Sequence, residues 1–173
     1  MSQLAVASTK VDDTAGLLQH RSDMAFDIQT ILVPVDFGET SAHALDSALD
    51  LAKALRAQVH VLHVYQIPVY GFPDGAFITG PEVAVRIEEA AQKGLGEILA
   101  RHQGRGVQLG HSIRQGSAAE EIVAAAKELP AQLVVMGTHG RGAIAHALLG
   151  SVTDKVVRTS QVPVLTIRHV AKT

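Results

Sequence analysis

With 173 residues, 47% of them hydrophobic and 18% charged, the chain has the size and composition of one globular domain rather than a disordered polymer. A net charge of −2 without any long basic block gives no electrostatic footprint for nucleic acid or an anionic membrane. Cysteine is absent, which excludes disulfides and thiolate metal sites. The first residues show no charged segment followed by an apolar core, so no secretory signal is read. No apolar run reaches the length of a bilayer span, and a cytoplasmic protein is expected.

Residues 1–26 mix Ser, Thr, Asp and Gln with small apolar residues and hold no sustained period. They read as a flexible tail, with the folded domain over 27–173. Ile31-Leu32-Val33-Pro34-Val35 is the first strand, apolar on both faces as a central parallel strand should be. Pro34 has no N–H for a ladder and must sit near the strand's end or face an unpaired position. Asp36 follows at the carboxyl end. Thr40 or Ser41 can cap the next helix, whose inner face is Leu45, Ala48, Leu49, Ala52 and Leu55. Residues 59–64, V-H-V-L-H-V, form the second strand.

Residues 65–80 hold two prolines and three glycines and read as a loop. Pro81 suits the first position of a helix with Ile87, Ala91, Leu95 and Ile98 inward. Gly94 and Gly96 weaken that helix in exchange for close packing. Residues 107–113 are the third strand. Ser117-Ala118-Ala119-Glu120 has the form of a capping box before a helix carrying Ile122, Val123 and Ala126. Residues 133–136 are the fourth strand, and Val162-Pro163-Val164-Leu165-Thr166-Ile167 is the fifth. Strands alternating with helices imply an α/β fold, an open parallel sheet with helices on both faces and right-handed crossovers. Ligands bind such sheets beyond the carboxyl ends of the strands, where the winding reverses.

The fourth strand runs into M-G-T-H-G-R-G-A-I-A-H-A-L-L-G-S-V-T, residues 136–153. Strand, glycine-rich loop and helix start prepare a backbone for phosphate. Glycines let N–H groups approach an anion without a Cβ in the way. A helix N-terminus adds unpaired donors and the positive end of its dipole. Ser151 and Thr153 add hydroxyls, and Val152, Val156 and Val157 are expected on one face of the helix. Arg141, inside the loop, can pair an anion or stand solvated. Asp36 can take a ribose hydroxyl, hold a metal beside phosphates, or serve as a turn residue. His139 lies near the phosphates or on the loop surface. His60 and His63 are three apart and face opposite sides of a strand, so they cannot share a metal. G-x-x-x-x-G-K-[ST] and G-x-S-x-G are absent, which excludes a P-loop and a nucleophile elbow.

Gly137-x-x-Gly140, nine residues, then Gly150-Ser151 resembles the G-x2-G-x9-G-[ST] signature of the universal stress protein family. Ile31-Leu32-Val33-Pro34-Val35-Asp36, Val61-Leu62-His63-Val64 and the closing residues 162–167 are similar too. The likeness covers residues 29–168. It implies a Rossmann-like five-stranded sheet of order 3-2-1-4-5 and an ATP cofactor, with Mg2+. It implies that Pro34, Val64 and Met136 border adenine, that Asp36 and Gly137 meet the ribose side, and that Gly140, Gly150, Ser151, Val152 and Thr153 cradle the phosphates. Val35 and Arg141 complete the expected binding set. The function implied is that of an ATP-binding regulator in the stress response, with an unidentified protein partner. A slow ATPase or autophosphorylating protein, or a dimeric scaffold that binds no nucleotide, are the alternatives. In the implied strand order the fifth strand is an edge, apolar and uncharged, and a homodimer through it is expected.

Overall fold

The computed structural model of the chain describes residues 27–72, 75–78, 80–140 and 149–168. The tail expected over residues 1–26 and the loop residues Arg141 and His146 lie outside them. The elements in chain order are β1 (Thr30–Val35), α1 (Glu39–Leu55), β2 (Gln58–Tyr65), β3 (Val69–Phe72), β4 (Gly75–Ile78), α2 (Pro81–His102), β5 (Leu109–Gln115), α3 (Ala118–Glu128), β6 (Leu133–Gly137), α4 (Ser151–Thr159) and β7 (Val164–Ile167).

Five strands form one parallel sheet in the order β5-β2-β1-β6-β7. Counting only those strands, this is the expected 3-2-1-4-5. β1 is central, and all six of its residues are buried, which is why its sequence does not alternate. Its pleat divides the core. Ile31, Val33 and Val35 pack with Leu45, Leu49, Leu95 and Ile98 on one face. Leu32 packs with Leu62, Ile122, Met136 and Val156 on the other. Burying one such side chain contributes about 1.5–3 kcal/mol, so both faces are needed to hold the sheet.

Several expected details differ. Residues 65–80 are not all loop, because β3 and β4 pair antiparallel from Val69↔Ile78 to Phe72↔Gly75. The third strand is displaced to Leu109–Gln115, since its register is fixed by β2, from Val59↔Leu109 to Tyr65↔Gln115. Neither Thr40 nor Ser41 caps α1; Gly38 does, without a side-chain bond. Ser117 is the N-cap of α3 but makes no capping bond, and Glu120 instead takes the ammonium of Lys155 at 2.7 Å. Leu55 is 42% exposed, because α1 ends in a left-handed turn at Arg56 and Ala57 takes the buried place beyond it. Pro81 is at the start of α2 as expected. Gly94 is closely packed, against Phe37, whereas a Cβ on Gly96 would meet nothing within 4 Å.

Candidate functional site

The sheet winds outward in both directions from β1 and β6. The β1–β6 ladder pairs Ile31↔Leu133 and Leu32↔Val134 and ends two residues before Pro34, so the proline sits where no ladder bond is required of it. A cleft of about 470 Å³ opens beyond that point. Pro34, Val35 and Asp36 line it from β1, Leu62 and Val64 from β2, and Met136 and Gly137 from β6. His139, Gly140, Leu149 and Gly150 follow from the loop, and Ser151, Val152 and Thr153 from α4. Ser41 of α1 and Ala118 and Ile122 of α3 complete the lining. All the residues of the expected binding set except Arg141, which lies outside the described residues, therefore line one cleft. Ser41, Leu62, Ala118, Ile122 and Leu149 were not foreseen. Their signal was only their place in a strand that ends on this rim, near the start of a helix, or beside the Gly150 N-cap.

Asp36 organises one wall. Its Oδ1 accepts the N–H of Gly38 at 3.0 Å, its own N–H donates to Ser41 Oγ at 3.3 Å, and Ser41 Oγ donates to Gly38 O at 2.9 Å. The start of α1 is thus bonded around this carboxylate. Its Oδ2 faces the opposite wall, 2.9 Å from where a Cβ on Gly140 would stand.

The opposite wall is the loop and the start of α4. Gly150 is the N-cap of α4. Its N–H donates to Thr138 O at 2.7 Å, and the buried hydroxyl of Thr153 donates to Gly137 O at 2.9 Å. Thr138 N–H in turn donates to Ile167 O at the end of β7, at 2.9 Å. Asp154 N–H makes the first helical bond, to Gly150 O. The N–H groups of Ser151, Val152 and Thr153 precede it and find no acceptor among the described residues. They give the cleft donors and the positive end of a helix dipole.

The glycines have different reasons. A Cβ on Gly137 would stand 2.8 Å from Thr40 Cγ2 and 3.2 Å from the Thr40 backbone, so this glycine lets α1 pack on β6. A Cβ on Gly150 would stand 3.3 Å from Thr138 O and 3.5 Å from His139 Cα, so this one lets helix and loop touch. The expected face of Val152, Val156 and Val157 is corrected. Val156 is buried with Thr153, but Val152 and Val157 are 37% and 43% exposed. The inward stripe runs through positions 153 and 156, one turn apart, which leaves Val152 on the cleft side.

The described lining carries one carboxylate, Asp36, and one imidazole, His139. His139 Nδ1 is 3.0 Å from Thr138 Oγ1. Among the described lining, the donors that could meet an anion are therefore chiefly backbone N–H groups. His60 and His63 do face opposite sides: His60 Nε2 meets Ser112 Oγ at 2.9 Å, and His63 Nδ1–H donates to Val35 O at 2.8 Å. No group of side chains that could hold a metal occurs among the described residues, and no helix among them is long and apolar enough to cross a membrane.

A parallel sheet with an apolar floor and a glycine-and-N–H wall at its switch point defines a Rossmann-like fold. Residues 27–168 match the model of the universal stress protein family, and the chain belongs to that family. It is similar to universal stress protein MJ0531 of Methanocaldococcus jannaschii, 31% identical over 144 residues, 82% of this chain and 83% of that one. Among solved structures it is similar to the universal stress protein UspA from Lactobacillus plantarum, with TM-score 0.71 and 25% identity over 82% of this chain and 98% of that one. It is also similar to a universal stress protein solved in complex with cAMP, with TM-score 0.61 and 27% identity over 82% of this chain and 97% of that one.

Proposed function

We propose that the protein binds ATP in this cleft and regulates a stress response through occupancy of the site rather than through turnover. The observation that carries the reading is the wall at 137–153. Three N–H groups at the start of α4 lack acceptors among the described residues, Gly140 keeps a side chain out of the space before Asp36, Gly150 lets the loop and helix touch, and an apolar floor of Pro34, Val64 and Met136 lies beside them. Phosphate suits the donors, and a purine suits the floor. In this reading Asp36 meets the ribose side with Gly137, Val35 lies beneath, and Gly140, Gly150, Ser151 and Val152 hold the phosphates. Thr153, whose hydroxyl is bonded to Gly137, offers its N–H. Mg2+ accompanies the triphosphate and offsets its charge. The relative solved with cAMP supports an adenine nucleotide as the ligand class.

The same reading includes a homodimer through β7. Among the described residues that strand pairs only with β6 and ends the sheet, and its Leu165 is 41% exposed. An apolar edge of this kind is normally covered, and a second copy covers it symmetrically. The direct test of the ligand is chromatography of the nucleotide released when the purified protein is denatured. Adenine nucleotide in the supernatant supports the reading. A protein that neither carries nucleotide nor acquires it on incubation with ATP refutes it.

A further inference from the structure

Phe37 stands between Asp36 and Gly38, the N-cap of α1. Its φ of 64° lies in the left-handed region, which a bulky side chain occupies only when its surroundings over-determine it. The ring packs with the core of the α1–α2 face. It stacks on His63, with centroids 4.1 Å apart and planes tilted by 30°. His63 is fixed in turn by its bond to Val35 O. On the α2 side the ring fills the space a side chain on Gly94 would need: a Cβ there would stand 3.0 Å from Phe37 Cζ and 3.1 Å from Cε2. A mid-helix glycine is disfavoured, and here the aromatic ring takes its side chain's place.

The backbone of the same residue spans the bond from Gly38 N–H to Asp36 Oδ1, 3.0 Å long. The Phe37 dihedrals therefore set where the carboxylate lies relative to α1, and hence its approach to Gly140. We propose that Phe37, locked between His63 and Gly94, is the positioning residue for Asp36. Gly94, on a helix that contributes no described residue to the cleft, thereby sets the affinity of the site. The proposal rests on the reading of the cleft as a nucleotide site. The neighbouring Gly96, with nothing within 4 Å of its Cβ position, is the matched control.

The test compares wild type, Gly94→Leu and Gly96→Ala, first without ligand and then with ATP. Without ligand, the amide and carboxyl NMR resonances of Asp36 shift in Gly94→Leu and stay in place in Gly96→Ala. With ATP, Gly94→Leu binds about tenfold more weakly, while Gly96→Ala binds as wild type and melts higher. In an Asp36→Ala background the Gly94→Leu penalty disappears, which a general loosening of the core would not produce. If Gly94→Leu does not fold, Phe37→Leu, which keeps an apolar side chain but loses the ring stack, gives the same readings. Unmoved Asp36 resonances in the folded variant, wild-type ATP affinity, or a penalty that persists without the Asp36 carboxylate overturns the proposal. A wild type that binds no ATP refutes the nucleotide reading instead, and the ligand-free resonances still decide whether Phe37 positions Asp36.

Discussion

The N–H of Gly150 donates to the carbonyl of Thr138 at 2.7 Å, which closes the loop that leaves β6 onto the first turn of α4. The contact is possible because position 150 has no side chain: its φ of −69° is open to any residue, but a Cβ would press on Thr138 O at 3.3 Å. Gly150→Val must push the loop and the helix apart. The expected result is a folded protein destabilised by about 1–3 kcal/mol, with ATP affinity lowered at least about tenfold as the N–H wall loses its geometry. Denaturant melts and calorimetry check the two effects. Normal ATP binding by a folded Gly150→Val protein would remove this glycine from the phosphate wall.

Thr153 is 3% exposed, and its hydroxyl serves Gly137 O. Thr153→Val keeps the shape and leaves that carbonyl without its partner. It should cost about 1–3 kcal/mol in urea unfolding, and Thr153→Ser, which keeps the hydroxyl, should cost less. A larger loss in Thr153→Ser than in Thr153→Val would show that the methyl, not the bond, matters.

The frame of the fold was legible because its signals are local. Ile31-Leu32-Val33 is apolar on both faces only because β1 is central, and the alternation of strands and helices leaves few topologies. The carboxyl-end placement of Asp36, Val64 and Gly137 followed from that frame. What was not legible depends on partners distant in sequence. The bounds of β5 are such a case: a strand was legible over 107–113, but G-H-S-I-R-Q after Leu109 is too polar to mark where it runs, and its register with β2 carries it to Gln115. Residues 65–80 read as loop because of their prolines and glycines, although β3 and β4 pair within them. The left-handed Phe37 has no sequence signal of its own, since the slot it fills is made by Gly94, far along the chain.

His60 is held below its ordinary value of 6.5, first by burial and then by the charges of His111 and Arg114. The unfolded chain therefore binds a proton at this position more readily than the folded one. The stability from neutral His60 is complete above pH 6.5 and is lost as pH falls from there through the depressed folded value. His60→Gln should flatten the stability profile in that window and leave it unchanged above. An unchanged acid limb in His60→Gln would assign it to other groups.

Leu165 points out from the edge strand, whereas Val164 packs toward Leu32 and Val156 on one core face. A charge at Leu165 should therefore break self-association without breaking the fold. Leu165→Lys is expected to sediment as a monomer where wild type sediments as a dimer, with melting of each monomer unit still cooperative. A wild type that is monomeric at micromolar concentration would contradict the β7 interface.

ATP binding in the cleft is tested most directly by titration calorimetry of the purified wild-type chain with ATP in the presence of Mg2+. A single cleft with one N–H wall should take one ATP per chain with saturable heat, and AMP, which offers the wall fewer phosphates, should bind more weakly. At a free ATP concentration a hundred times the dissociation constant, the folded state should gain about 2.7 kcal/mol, visible as a raised melting temperature. Neither heat nor any shift in melting temperature at millimolar ATP would contradict the assignment of the cleft as an ATP site.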